Sequence, residues 1–108
     1  MEQMAMSEIR AVMFKRRRFW ILQCLECDIC VQALKLQDLQ YELERALIGY
    51  QAACDQEKIE AFSNLPRAPQ QYWNLWNKAH VKVEFEAPDP FRLPSGAQLP
   101  KTAMRLAA

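Results

Sequence analysis

The sequence predicts a mainly all-α protein, and three observations carry that prediction. All six prolines (66, 69, 88, 90, 94 and 100) fall after residue 65, whereas residues 1–65 contain no proline and one glycine, Gly49. Proline breaks helix interiors and glycine weakens them, so the chain divides near Leu65-Pro66 into a helical part, 1–65, and a punctuated part, 66–108. Within the first part, Leu22, Leu25, Ile29, Gln32, Leu36, Leu39, Leu43, Ala46, Tyr50 and Ala53 follow alternating steps of three and four, the a/d series of coiled-coil-like heptads. A second stripe, Cys27, Leu34, Tyr41 and Ile48, recurs every seven residues on the opposite side of such a helix.

In chain order, Ser7 is the expected N-cap, with Glu8 in the first turn, and Ser63 and Asn64 ahead of Pro66 form the stop. One straight helix over 7–63 would be about 85 Å long at 1.5 Å per residue. The rest of the chain is too short to cover such a rod. The expectation is therefore a long helix or a helical hairpin, with turns at Gly49, at Gln37-Asp38 or at the bases 15–18, covered by a partner or a second copy. Pro69 can open a short aromatic helix, Gln70 to Ala79, with Tyr72, Trp73, Trp76 and Ala79 on one side. His80 to Glu86 alternates apolar and polar residues as one isolated strand, which calls for a strand from a copy or a partner. From Ala87 the reading is an irregular Pro-rich tail in which Phe91 and Leu93 can anchor.

With 108 residues, 51% of them hydrophobic and 25% charged, the chain has the makings of one small domain with a core rather than of a disordered segment. No apolar run is long enough to cross a bilayer. The formal net charge of +1 hides a basic head (+3 over 1–20), an acidic middle (−5 over 21–65) and a basic tail (+3 over 66–108). That distribution suits an oriented protein partner or self-association better than a wrapped polyanion.

There are four cysteines, three of them crowded at Cys24, Cys27 and Cys30 with Cys54 further on, and the expectation is that no secretory leader precedes them. They predict a reducing, cytoplasmic setting with free or metal-bound thiols. Their spacing is that of a zinc or iron–sulfur site. Against it, the intervening residues keep a helical period, and Glu26 and Asp28 oppose thiolate formation. Buried small hydrophobes are the plainer reading, and no cofactor is expected. Lys15, Arg16, Arg17 and Arg18, flanked by Phe14, Phe19 and Trp20, have the composition of a nucleic-acid grip, but on a helix four consecutive bases spread around the circumference. His80 has no nucleophile beside it in sequence, and Ser, Thr and Gly are scarce.

The expected function is non-catalytic protein–protein interaction, as an adaptor, assembly subunit or inhibitor that occludes a partner's surface as an oligomer. Its expected anchors are Leu36, Leu39, Tyr41, Leu43, Ile48, Trp73, Trp76 and Phe85. The alternatives are a Cys-ligated metal or iron–sulfur regulator and a nucleic-acid accessory protein using residues 15–18.

Overall fold

Residues 8–16, expected as the opening turns of a helix, instead form the central strand of a five-stranded sheet. The computed structural model describes residues 8–62, 65–84 and 100–107. The expected cap at Ser7, the stop at Ser63-Asn64, the anchor Phe85 and the tail positions Phe91 and Leu93 lie outside the described residues.

Strand β1 (Glu8–Arg16) pairs antiparallel with β2 (Phe19–Cys24), which pairs antiparallel with β3 (Cys30–Ala33). A 3-10 turn, Leu36–Asp38, leads into α1 (Leu39–Glu57). Helix α2 (Gln70–Lys78) follows, then β4 (Val81–Val83) and β5 (Lys101–Leu106). Strand β5 lies parallel to β1 and antiparallel to β4, giving the order β3-β2-β1-β5-β4.

The all-α, coiled-coil expectation is thus overturned: the protein is a mixed α/β fold. Its extents of 39 × 34 × 20 Å leave no room for an 85 Å rod. The cause is two-sided burial. Ile9, Ala11 and Met13 of β1 face one core, while Val12 and Phe14 face another. A strand covered on both faces loses its polar alternation and reads as a continuous apolar run. The heptad series ran through β2, β3 and their loops, so that spacing of three and four was coincidental before Leu39. Only α1 is a true helix there, and its buried face is Leu39, Leu43, Leu47 and Cys54. The opposed stripe dissolves as well: Cys27 and Leu34 lie in bends, and only Tyr41 and Ile48 share the helix.

The isolated strand is corrected too. Val81, Lys82 and Val83 pair with Leu106, Arg105 and Met104 of the same chain, so no partner strand is needed to satisfy that ladder. Helix α2 coincides with the expected aromatic helix, with Pro69 at its N-cap rather than its first turn.

The sheet separates two layers. On one face α1 covers Leu22 and Cys24 of β2, Val31 and Ala33 of β3, and Ile9 and Met13, with Met104 and Val83 extending the same cluster. Helix α1 ends in a left-handed residue, Lys58 (φ 58°). Its N–H reaches the Asp55 carbonyl, and the Ile59 N–H reaches that of Cys54, the paired bonds of a Schellman cap. The chain then turns back through Phe62, whose ring lies 5.0 Å from that of Tyr50 and whose N–H donates to the Tyr50 hydroxyl at 3.1 Å.

On the other face, α2 presses Trp76 on Val12, Leu25, Ala68 and Ala79, with Tyr72, Trp73 and Ala103 around them. Arg105 lies 4.2 Å over the Trp76 ring and donates through Nη1 to the carbonyls of Trp76 (3.2 Å) and Ala79 (3.4 Å), closing the helix C-terminus.

Candidate interaction site

Strands β1 and β2 are joined by only two residues, Arg17 and Arg18, because Arg16 already pairs with Phe19. Two-residue hairpins favour glycine or asparagine where φ is positive. Here Arg17 takes that position at φ 57°, a conformation that costs a non-glycine residue about 1–2 kcal/mol. Lys15, Arg16, Arg17 and Arg18 are all exposed, and among the described residues no carboxylate forms an ion pair with them. The expected spreading of these bases around a helix does not occur; they crowd the tip of a hairpin.

Aromatic rings stand under the cations. Lys15 Nζ lies 5.7 Å from the Trp20 ring, Arg16 5.6 Å from Phe14, and Arg18 5.5 Å from Phe19. These stacks hold the long side chains close to the hairpin and give each ring a charged edge.

The tip adjoins an open sheet edge. Strand β3 is the outer strand on this side, with Trp20 opposite Ala33 and Ile21 opposite Gln32. Carried one step beyond Ala33, this register sets Leu34 next to Phe19, which itself pairs with Arg16. Leu34 is 64% exposed, the most exposed of the large apolar residues described. Leu34, Phe19 and the basic turn therefore make one corner, apolar at its centre and cationic at its rim, while Trp20 points to the opposite face and packs against the main core. That is the composition of protein-binding patches.

The expected site residues fall in several places. Leu39 and Leu43 are buried in the main core and Trp76 in the second, so all three hold this chain's own fold together. Leu36 and Ile48 are half-buried, Leu36 against the main core. Tyr41 is 46% exposed, with the Arg45 guanidinium 5.6 Å over its ring. Trp73 is sandwiched between Arg10 (4.7 Å) and Arg67 (4.1 Å) and donates from Nε1 to the Ala68 carbonyl. Of the cysteines, Cys24, Cys27 and Cys54 are buried and Cys30 is exposed. Among the described residues, no three His, Cys, Asp or Glu side chains gather to hold a metal ion.

Charge is sorted by layer. Asp38, Glu42, Glu44, Asp55, Glu57 and Glu60 lie in or beside α1, against Arg45 and Lys58. Arg10, Arg67, Lys78, Lys82 and Arg105 collect on the α2 side. Sequence reasoning missed the exposed position of Leu34 beside the hairpin turn and the Arg10–Glu26 pair. The signal available for the hairpin beside Leu34 was a run of four polar residues, Lys15 to Arg18, between two apolar runs, masked because neither residue of the turn itself is glycine or asparagine. No sequence signal marks the second. No helix of the described residues is long and apolar enough to cross a membrane. Comparison with protein-family models, with curated proteins and with solved structures yields no match for the chain.

Proposed function

We propose that the protein is a non-catalytic protein-binding module that occludes a partner's surface with the corner formed by Lys15–Trp20, Ala33 and Leu34. The exposed Leu34, set in register beside Phe19 and the four-cation turn at an open strand edge, is the observation that supports this reading. Burying Leu34 against a partner would contribute up to roughly 1.5–3 kcal/mol, and the already half-buried Phe19 less. The exposed cations add about 0–1 kcal/mol apiece and act mainly by steering an acidic partner and setting its orientation. The free backbone groups of β3 can extend a partner strand's ladder beside that anchor. The anchors expected from sequence give way to this set because Leu39, Leu43 and Trp76 are spent inside the fold.

A nucleic acid would use the same cations through its phosphates but would have little use for an aliphatic anchor or a strand edge. The two ligands are separated by site-specific photo-crosslinking in cells. A benzophenone amino acid at position 34 is expected to yield a protein adduct that disappears in Arg16→Glu/Arg17→Glu/Arg18→Glu. The same group at Glu57, on the far end of α1, is expected to yield none. An adduct with nucleic acid, or equal protein yields at the two positions, overturns the proposal. Sedimentation of the purified chain then tells a second copy from a foreign partner.

A further inference from the structure

We infer that the partner of the Leu34 corner is a second copy of this chain, joined by antiparallel pairing of β3 with β3 about a two-fold axis, an assignment that rests on the function proposed above. The backbone bonds show which groups of β3 are open to it. Cys24 N–H donates to the Ile29 carbonyl at 2.9 Å, and the β2–β3 register sets these two residues opposite each other. Bonded and non-bonded pairs alternate along an antiparallel ladder. Val31 and Ala33 therefore bond to β2, whereas Cys30 and Gln32 turn their N–H and C=O groups outward. The Leu25 N–H, donating to the Arg10 carbonyl of β1 at 2.8 Å, fixes the same alternation from the other side of β2. Among the described residues no strand takes up the outward groups of Cys30, Gln32 and, one step on, Leu34. Val12, Gln23 and Cys30 form one row across the sheet, so these three side chains all point to the α2 face, and all three are exposed.

The two edges of the sheet are guarded differently. Native sheets blunt their edges with short strands, charges or proline, because an open ladder is a template for another strand. Strand β4 has three residues, with Lys82 at its centre and His80 and Glu84 on its flanks. From Ile29 to Leu34 the β3 edge carries neither a charge nor a proline. The order of charge around that bare stretch selects its occupant. Exposed Asp28 lies just before it, with Oδ1 accepting from Gln23 Nε2 at 2.9 Å. Exposed Lys35 lies just after it, at the end where Arg17 and Arg18 turn the hairpin. The edge is acidic at one end and basic at the other. Antiparallel alignment of two such edges brings opposite charges together at both ends.

The open groups also fix the register. With the two-fold axis at Gln32, that residue faces its own counterpart, and Cys30 of each copy faces Leu34 of the other. Each of these pairs exchanges both of its outward backbone bonds. A slip of one residue would set open groups against groups already bonded to β2. In this register Leu34 lies beside Cys30 of the second copy and diagonal to its Gln32, so the exposed anchor gains cover on the α2 face. Lys35 falls one step from Asp28 of the second copy, while the two cationic turns stand at opposite ends of the seam and do not face each other. The interface is isologous and closes at two chains. The joined sheet then ends at β4 on both sides, the edge that carries its own charges.

Sedimentation equilibrium of the full chain over a wide concentration range is expected to show a species of twice the chain mass. Gln32→Pro removes an N–H that β2 does not use, so it should abolish that species while leaving the far-UV circular dichroism of the monomer unchanged. Lys35→Glu should weaken the dimer roughly tenfold, the effect of two reversed surface pairs, and Lys35→Glu/Asp28→Lys should restore it. A chain that stays monomeric at the highest concentration, or a dimer that a folded Gln32→Pro leaves intact, overturns the inference. Failure of the double exchange to restore association overturns it as well, and that readout decides the matter even where Gln32→Pro does not fold. The two readings fail separately. Capture of a different protein from position 34 in cells, with the purified chain monomeric, removes the second copy and leaves the binding corner standing. Absence of any protein adduct at position 34 removes both.

Discussion

The two faces of the sheet are held by different kinds of contact. Under α1 the adhesion is aliphatic: Ile9, Met13, Leu22, Leu39 and Leu47 are completely buried in one cluster. Under α2 the cluster is smaller and is finished by directional contacts. Trp73 lies between two guanidinium groups, Arg105 caps Trp76, and Phe14 stacks on Tyr72 with ring centroids 6.0 Å apart and planes 23° from parallel. The first kind of contact is spread over many side chains, whereas the second depends on a few oriented groups. The α2 layer is therefore expected to open at a lower free-energy cost than the α1 layer.

Leu43→Ala tests the first half of that contrast and carries the largest expected effect. It removes a core side chain that is 2% exposed and should cost about 2–5 kcal/mol, read as a shift in the denaturant midpoint of the whole chain. Glu26→Gln tests the second half. Losing a charged acceptor for Arg10 should cost about 1–2 kcal/mol. The loss should show first as faster hydrogen exchange at the Ala68 amide, with the amides of α1 unaffected. Equal acceleration in both layers would mean that they open as one and would erase the distinction. The smallest effect runs the other way. Gly49 lies in α1 with nothing within 4 Å of an added Cβ, so Gly49→Ala should raise stability by about 0.5–1 kcal/mol.

How much of this was legible in the chain depends on whether an element had one solvent face. Helix α2, with Pro69 before it and aromatic residues on one side, was readable, as was the alternation around Val81–Val83. The first three strands were not. Their residues are apolar toward both layers, or, as at Gln23, polar but buried and satisfied: Gln23 Nε2 donates to the Cys24 carbonyl and to Asp28 Oδ1. Their punctuation is equally unmarked. The hairpin turns at Arg17, the helix stops at Lys58 and the return runs through Phe62, all at positive φ and none with glycine. For the candidate site, the basic run was visible as composition, but its gathering at a tip depended on a turn that its residue types conceal. Leu34 was visible only as a member of a stripe that the fold takes apart.

The parallel pairing of β1 with β5 bears on how the protein is made. Glu8 must find Lys101, and Met13 must find Leu106, so the middle of the sheet joins segments separated by nearly the whole chain. At about 5–20 residues per second of translation, β1 emerges roughly 5–20 s before its neighbour exists. During that interval the nascent hairpin has an apolar flank with nothing to pair with, and folding must wait for a contact of very long sequence separation. A ribosome-bound intermediate of β1, β2, β3 and α1 is thus an expected client for chaperones, until the last strand slides in beside the first.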